Sequence, residues 1–361
     1  MSAVTGSLPV PMDLAAFDYD LPPDRIAQHP VEPRDSARLL VDRPDGRAPD
    51  DRTVADLPEL LGPGDVVVVN ETRVLPARLA LTKPTGGAVE VLLLEPRDPA
   101  VAPGQTSEAL VWEALVRPSR KVAPGTVLTP AGSGPHSAFS VEVGEDLGEG
   151  RRLVRLHVGT TPVIDSLERH GQVPLPPYIT ETLDDPERYQ TVFAEHPGSV
   201  AAPTAGLHLT PELLDRVKAK GVEVCPVELV VGLGTFRPIT VDRVEDHRMH
   251  AERYEVPAET MAACRDAERV VAIGTTVTRA LESAAATGDL CGRTDLFIHG
   301  DYQWRVVDAM VTNFHVPRSS LLVMIDAFIG PRWRDLYQHA LDHGYRFLSF
   351  GDAMLLQRGS Q

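Results

Sequence analysis

A chain of 361 residues, 43% of them hydrophobic, is long enough to bury more than one core, so two domains are the first expectation. Its formal charge of −16 shows none of the basic surplus usual in nucleic-acid binders, and Cys225, Cys264 and Cys291 are too widely spaced for a disulfide framework or a structural zinc site. No apolar run reaches the roughly 18 residues of a membrane helix, and residues 1–11 lack the basic and apolar stretches of a signal peptide; a cytoplasmic protein without membrane contact is expected.

Residues 1–63 carry proline-rich and acidic stretches around Gln28-His29-Pro30 and Arg34-Asp35-Ser36. From Gly64 the pattern changes to short β-rich runs, Val66 to Val69, Ala88 to Leu94, Val111 to Val116 and Arg151 to Val158, separated by Gly/Pro/Ser turns. With no helical period before Gly159, residues 64–159 read as a small inserted antiparallel β-barrel or sandwich. Residues 160–361 then alternate. Thr161 to Arg169 reads as a helix, and Thr210 caps a second that has Pro211 at its first position and Gly221 past its end. Val222 to Val231 is a strand that Pro226 would place at an edge. Ala258 to Glu268 is helical, Val270 to Ile273 a buried strand and Thr275 to Ala286 a helix. Strand-like pieces follow at Leu296 to Ile298 and Arg305 to Val307, then apolar residues at Leu321 to Phe328, a helix over Arg332 to Asp342 and a strand over Tyr345 to Phe350. The fold class is therefore α/β, with a discontinuous main α/β domain, 1–63 and 160–361, carrying the strand-rich residues 64–159 as an insertion.

Several constellations could carry chemistry. Gly232-Leu233-Gly234-Thr235-Phe236-Arg237-Pro238 invites a dinucleotide-binding reading, which fails because a third glycine and a following helix are both missing; a tight turn beside a ligand fits better. Ile273-Gly274-Thr275-Thr276, with Arg279 one turn on, is a strand that turns into a helix, where free N–H groups favour a carboxylate or phosphate. The alternative there is an ordinary threonine cap with a surface arginine. His208, His250 and His315 are candidates for proton transfer, because an unperturbed imidazole titrates near neutrality, although a lone histidine is more often structural. Asp308 reads as a strand-end carboxylate or a turn former, and Arg73 and Arg78 as an anion grip or surface ion pairs.

These segments, in this order, resemble the S-adenosylmethionine:tRNA ribosyltransferase-isomerase family of queuosine biosynthesis. The resemblance runs from Phe17-Asp18-Tyr19-Asp20-Leu21-Pro22 through Asn70 to Arg78, residues 112–118, Val173 to Ile179 and Tyr189 to Ala194. It continues through Pro197 to His208, Val231 to Pro238, Met249 to Glu252, Ile273 to Thr276, Thr312-Asn313-Phe314-His315 and Tyr345-Arg346-Phe347. It implies a main α/β domain with an inserted barrel, and transfer of the ribosyl part of S-adenosylmethionine to 7-aminomethyl-7-deazaguanine at the wobble position of a tRNA with a GUN-type anticodon. Adenine and methionine would leave, and epoxyqueuosine would remain in the tRNA. S-adenosylmethionine is then a co-substrate, no metal is implied, and a monomer is expected. On this reading the proton-transfer candidates are His208, His250, Glu252, Asp308 and His315. Binding falls to Asn70, Arg73, Arg78, Thr204, Gly232, Gly234, Thr235, Arg237, Gly274, Thr275, Thr276, Arg279 and Asn313. Arg279 with the Gly274 turn is assigned to the methionine carboxylate, and Arg73, Arg78 and Arg237 to tRNA. The chain departs from the family pattern at Val230, where a histidine is usual, at Leu209, at residues 299–304, at Val316 to Ser320 and at Asp326. Two other readings remain open: the same fold acting on a free deazapurine or other small acceptor, and a non-catalytic tRNA-binding protein.

Overall fold

The structure, a computed structural model, describes residues 12–97, 110–133, 137–232 and 239–359. In chain order its first strands are β1 (Arg38–Val41), β2 (Asp50–Thr53), β3 (Asp65–Asn70), β4 (Thr72–Val74), β5 (Arg78–Thr82), β6 (Ala88–Pro96), β7 (Leu110–Arg117), β8 (Val127–Pro130), β9 (Ser140–Gly148) and β10 (Arg151–His157). Helix α1 (Val163–His170), β11 (Gly171–Gln172), β12 (His196–Ser199), α2 (Pro211–Ala219), β13 (Glu223–Leu229), β14 (Glu252–Glu255), α3 (Ala258–Asp266), β15 (Arg269–Ile273) and α4 (Thr275–Thr287) follow. The chain closes with β16 (Cys291–Thr294), β17 (Ala309–Asn313), α5 (Ser320–Ile329), α6 (Trp333–Asp342) and β18 (Ala353–Gln357).

Nine strands form one sheet in the order β16-β14-β13-β3-β15-β17-β18-β1-β2. Its middle, β13-β3-β15-β17, is parallel, so four carboxyl ends emerge on one side, where ligands of open α/β sheets usually sit. Both faces are covered. Val66, Val68, Val270, Ala272 and Met310 pack in one core with residues of α3 to α6, and Val67, Val69, Val271 and Val311 in another with residues of α2. That is why Val66 to Val69 is an unbroken apolar run, as strands buried on both sides are.

The barrel closes in the order β5-β6-β7-β10-β9-β8, with β8 returning to pair with β5. Alternate residues Leu79, Leu81, Val89, Val91, Trp112, Ala114 and Val116 fill it, the inside-outside period of a small closed barrel. β11 adds to the free half of β5 through Leu79 and Arg78. Gly171 is required there: a Cβ would lie 1.8 Å from the Pro76 carbonyl oxygen.

Four local expectations are corrected. The run Val66 to Val69, read as part of the barrel, is a central strand of the nine-stranded sheet, and the barrel strands begin at Arg78. β13 is not an edge strand, for it pairs with β3 and β14. Pro226 is tolerated because β14 engages only Glu228 and Leu229, while the Pro226 carbonyl accepts from Thr260 on α3 at 2.8 Å. Residues 296–298 and 305–307 form no strands: the N–H groups of Arg305, Val306 and Val307 all donate to the buried carboxylate of Glu282 in place of a neighbouring strand. Residues 345–350 turn instead of extending, with Leu348 at φ 68° and Arg346 N–H donating to Asp352. Strands β16 and β18 take up the ladder positions instead. No helix among the described residues is long and apolar enough to cross a membrane.

Candidate functional site

A cleft of about 600 Å³, its open mouth included, lies at the carboxyl ends of the parallel strands and is lined among others by Val231, Gly274 to Thr276 and Thr312 to Val316. β15 ends in Gly274, whose φ of 96° is favourable only for glycine, and α4 starts at once. Gly274 N–H donates to Val311, and no side chain caps α4. The N–H groups of Thr275, Thr276 and Val277 precede the first intrahelical bond, Thr278 N–H to the Gly274 carbonyl, and Thr275 and Thr276 line the cleft; a helix start of this kind favours an anion. The Gly274 turn expected from sequence to meet an anion thus does line the cleft.

β17 brings the second element. His315 lines the cleft two residues past the strand end, with Nε2 3.0 Å from Thr312 Oγ. Burial pushes its imidazole down to about 3, so the ring stays neutral at physiological pH. Asn313 is a brace. Its amide donates to His208 Nε2 at 2.9 Å and to the Leu348 carbonyl at 3.2 Å, and its oxygen accepts from Thr204 at 3.0 Å, so one side chain ties the turn Thr204–His208 and the Leu348 loop to the end of β17. His208 lies behind Asn313 and is absent from the cleft lining; burial, with Arg346 and Arg34 nearby, pushes it down to about 4. Asn70 is likewise occupied: its amide donates to Leu229 at 3.0 Å and Thr276 at 3.3 Å, and its oxygen accepts from Leu229 N–H at 3.1 Å, which locks the ends of β3 and β13 to α4.

Other sequence candidates are not in the cleft. Asp308 precedes β17, five residues from Asn313 and so about 17 Å away at the opposite edge of the sheet, where it accepts from Val270 N–H and Arg358. His250 is exposed on the loop before β14 and does not line the cleft. Arg279 does not meet the cleft either. It is buried against β14 and β16, paired with Glu252, while the other oxygen of Glu252 accepts from Gly232 N–H at 2.8 Å. The pair holds Gly232, next to Val231 of the cleft lining, and neither Arg279 nor Glu252 is itself part of that lining. Gly234, Thr235 and Arg237 lie outside the described residues.

Arg73 and Arg78 lie in a second, larger space. A groove of about 1950 Å³, open solvent included, runs between the barrel and the segment from Val173 to Gln190, and Arg73, Arg78 and Arg117 line it together with Glu90, Glu168, Glu181 and Glu187. Arg73 pairs with Glu187 at 2.6 Å, and Arg78 stands 4.0 Å from Glu90. Cleft and groove share a wall: Pro176, Pro177, Ile179 and Thr180 line the groove, while Tyr178 between them lines the cleft and meets Ser349 Oγ at 2.7 Å. Reading of single motifs missed Tyr178, Ser349 and Arg117. The polar tyrosine in the otherwise apolar run Pro174-Leu175-Pro176-Pro177-Tyr178-Ile179 is the signal that could have found the first.

A family model described as queuosine biosynthesis protein matches residues 14–356. The S-adenosylmethionine:tRNA ribosyltransferase-isomerase of Rubrobacter xylanophilus is 50% identical over 346 residues, covering 96% of this chain and 98% of that protein. The protein of the same description from Thermus thermophilus is 50% identical over 357 residues, covering 95% and 99%. Among solved structures, an S-adenosylmethionine tRNA ribosyltransferase from Thermotoga maritima is 34% identical over 94% of this chain and 99% of its own, with a TM-score of 0.52. A barrel set in a mixed sheet, a polar cleft at the carboxyl ends of parallel strands and full-length identity of about half agree: this chain belongs to the queuosine biosynthesis protein family, the family of the S-adenosylmethionine:tRNA ribosyltransferase-isomerases.

Proposed function

We propose that this chain transfers and isomerises the ribosyl part of S-adenosylmethionine onto 7-aminomethyl-7-deazaguanine at the tRNA wobble position, releasing adenine and methionine and leaving epoxyqueuosine in the tRNA. The observation that carries the reading is the pairing, on one cleft, of an uncapped helix start with a buried neutral histidine. The sulfonium of S-adenosylmethionine acidifies the ribose 5′ carbon, so its removal of a proton asks only for a modest, well-placed base. The first turn of α4 would hold the methionine carboxylate through the N–H groups of Thr275 and Thr276. His315, neutral and oriented by Thr312, would take the proton. His208, Thr204 and Asn313 would keep the end of β17 in place, and Asn70 would do the same for α4.

The tRNA would lie along the groove, with Arg73 and Arg78 giving up Glu187 and Glu90 for phosphates or base edges and Arg117 adding a third guanidinium. Such an exchange is cheap, because exposed ion pairs contribute only about 0–1 kcal/mol. An unpaired loop base also costs less to splay into a pocket than one in a duplex. The balance of guanidinium and carboxylate groups in the groove favours the free-acceptor reading as the second choice. One experiment separates the two: adenine release from S-adenosylmethionine, followed chromatographically, with modified tRNA or with free 7-aminomethyl-7-deazaguanine. Release that requires the tRNA is expected. Release with the free base alone would replace the proposed acceptor, and no release with either would leave a binding role.

A further inference from the structure

The motif Phe17-Asp18-Tyr19-Asp20-Leu21-Pro22 has no residue in the cleft, yet it reaches the one histidine that lines it among the described residues. The Tyr19 hydroxyl donates to the carbonyl oxygen of His315 at 2.5 Å, across 296 positions of chain. On the other side of the same residue, the N–H of His315 donates to the hydroxyl of Tyr337 on α6 at 3.0 Å. The two phenol rings pack edge to face with centroids 5.1 Å apart, and both lean on Phe347. Tyr337 also packs against Phe314, the residue beside His315. Burial pushes both phenols above their ordinary range, Tyr337 adding to the effect on Tyr19, so each remains protonated. The grip extends along the loop, where Arg318 N–H donates to the Phe17 carbonyl at 2.9 Å.

His315 is beyond the last ladder pair of β17, so no neighbouring strand fixes its peptide groups. Two side chains from opposite ends of the chain do so instead. With both peptide groups held, only the side-chain torsions of His315 are left, and Thr312 selects among them through Nε2. Aromatic packing alone would keep the loop folded; the hydroxyls add direction, which a folded loop does not need and a proton transfer does.

We infer that Tyr19 and Tyr337 are positioning residues, a pair of hydroxyls that sets the place of the His315 ring in the cleft. The inference rests on the reading of His315 as proton acceptor given above. Its test is Tyr19→Phe and Tyr337→Phe, which keep the rings and remove only the hydroxyls. In adenine release with modified tRNA, each variant is expected to lower kcat about tenfold while KM for S-adenosylmethionine stays within about twofold. Placed in a His315→Ala background, Tyr19→Phe should not lower the single-turnover rate further, because it acts only through that ring.

The failures are distinguishable. A wild-type enzyme that releases no adenine would remove the functional reading and this inference with it. A fully active His315→Ala would remove the role of the histidine. An impaired His315→Ala beside Phe variants with wild-type kcat would overturn the tyrosine pair alone. Losses from Tyr19→Phe that multiply undiminished with those of His315→Ala would show that the hydroxyl acts elsewhere, and would overturn it as well.

Discussion

The cleft at the sheet's carboxyl edge and the groove beside the barrel follow opposite electrostatic plans. Among the described residues no charged side chain lines the cleft; the polar groups there are peptide N–H groups, hydroxyls, Asn313 and an imidazole that burial keeps neutral. The groove is lined by arginines and glutamates in near balance, and two of the arginines, Arg73 and Arg78, stand against Glu187 and Glu90. The difference teaches what each place is suited to. Moving a proton calls for a few desolvated groups held without freedom, whereas receiving a large polyanion calls for charges whose present partners are easily exchanged. It also accounts for a protein of net charge −16 in a tRNA-modifying family: a basic surplus is not needed where local arginines can change partners.

The comparison is most severely tested just behind the cleft wall, where the one ion pair among the described residues with both partners buried lies. Arg279→Met leaves the Glu252 carboxylate buried with its cation gone, and should cost about 3–5 kcal/mol of stability in denaturant unfolding. If Arg279 were instead a carboxylate ligand, the variant would raise KM for S-adenosylmethionine strongly at nearly unchanged stability. Within the cleft, His315→Ala should lower adenine release at least about a hundredfold while S-adenosylmethionine still binds, as measured by calorimetry. On the groove side, Arg78→Ala and Arg117→Ala should each weaken tRNA binding by about tenfold and reduce its salt dependence by about one ion, with KM for S-adenosylmethionine unchanged. An equal effect on both substrates would erase the division between the two regions.

The smallest effect concerns pH. Burial lowers His208 to about 4 and His315 to about 3, from an ordinary value of 6.5, so neither ring titrates between about pH 5 and 8. The rate should show no histidine step near 6.5, and a step there would place the base elsewhere. Stability should respond even though rate does not. Below about 6.5 the unfolded chain takes up protons that the folded one refuses, so thermal stability falls as pH drops from about 6.5 towards 4 and is steady above it.

Much of this could be read from the chain alone, and the reasons are local. Alternation of inside and outside residues in β6 and β7 announces a small antiparallel barrel or sandwich, Thr210 and Pro211 announce the start of α2, and Gly274 between an apolar strand and two threonines announces the strand-to-helix turn into α4. Each depends on neighbours within a few positions, where backbone preference and side-chain period decide. The order of motifs also carried the family, because a dozen short matches in sequence constrain one another. Tertiary structure alone decided the rest. It assigned β3 to the large sheet, for a run of valines buried on both faces reads the same in a barrel or between two helical layers. Glu282 kept residues 305–307 out of any sheet by giving their N–H groups another acceptor. Of the polar residues that looked alike in sequence, His315 reached the cleft, while Asp308 went to the far edge and Arg279 to a buried partner. The Tyr19 contact with His315 spans nearly the whole chain. No period or spacing records such a contact, because it exists only when the sheet, its helices and the segment around Tyr19 have packed.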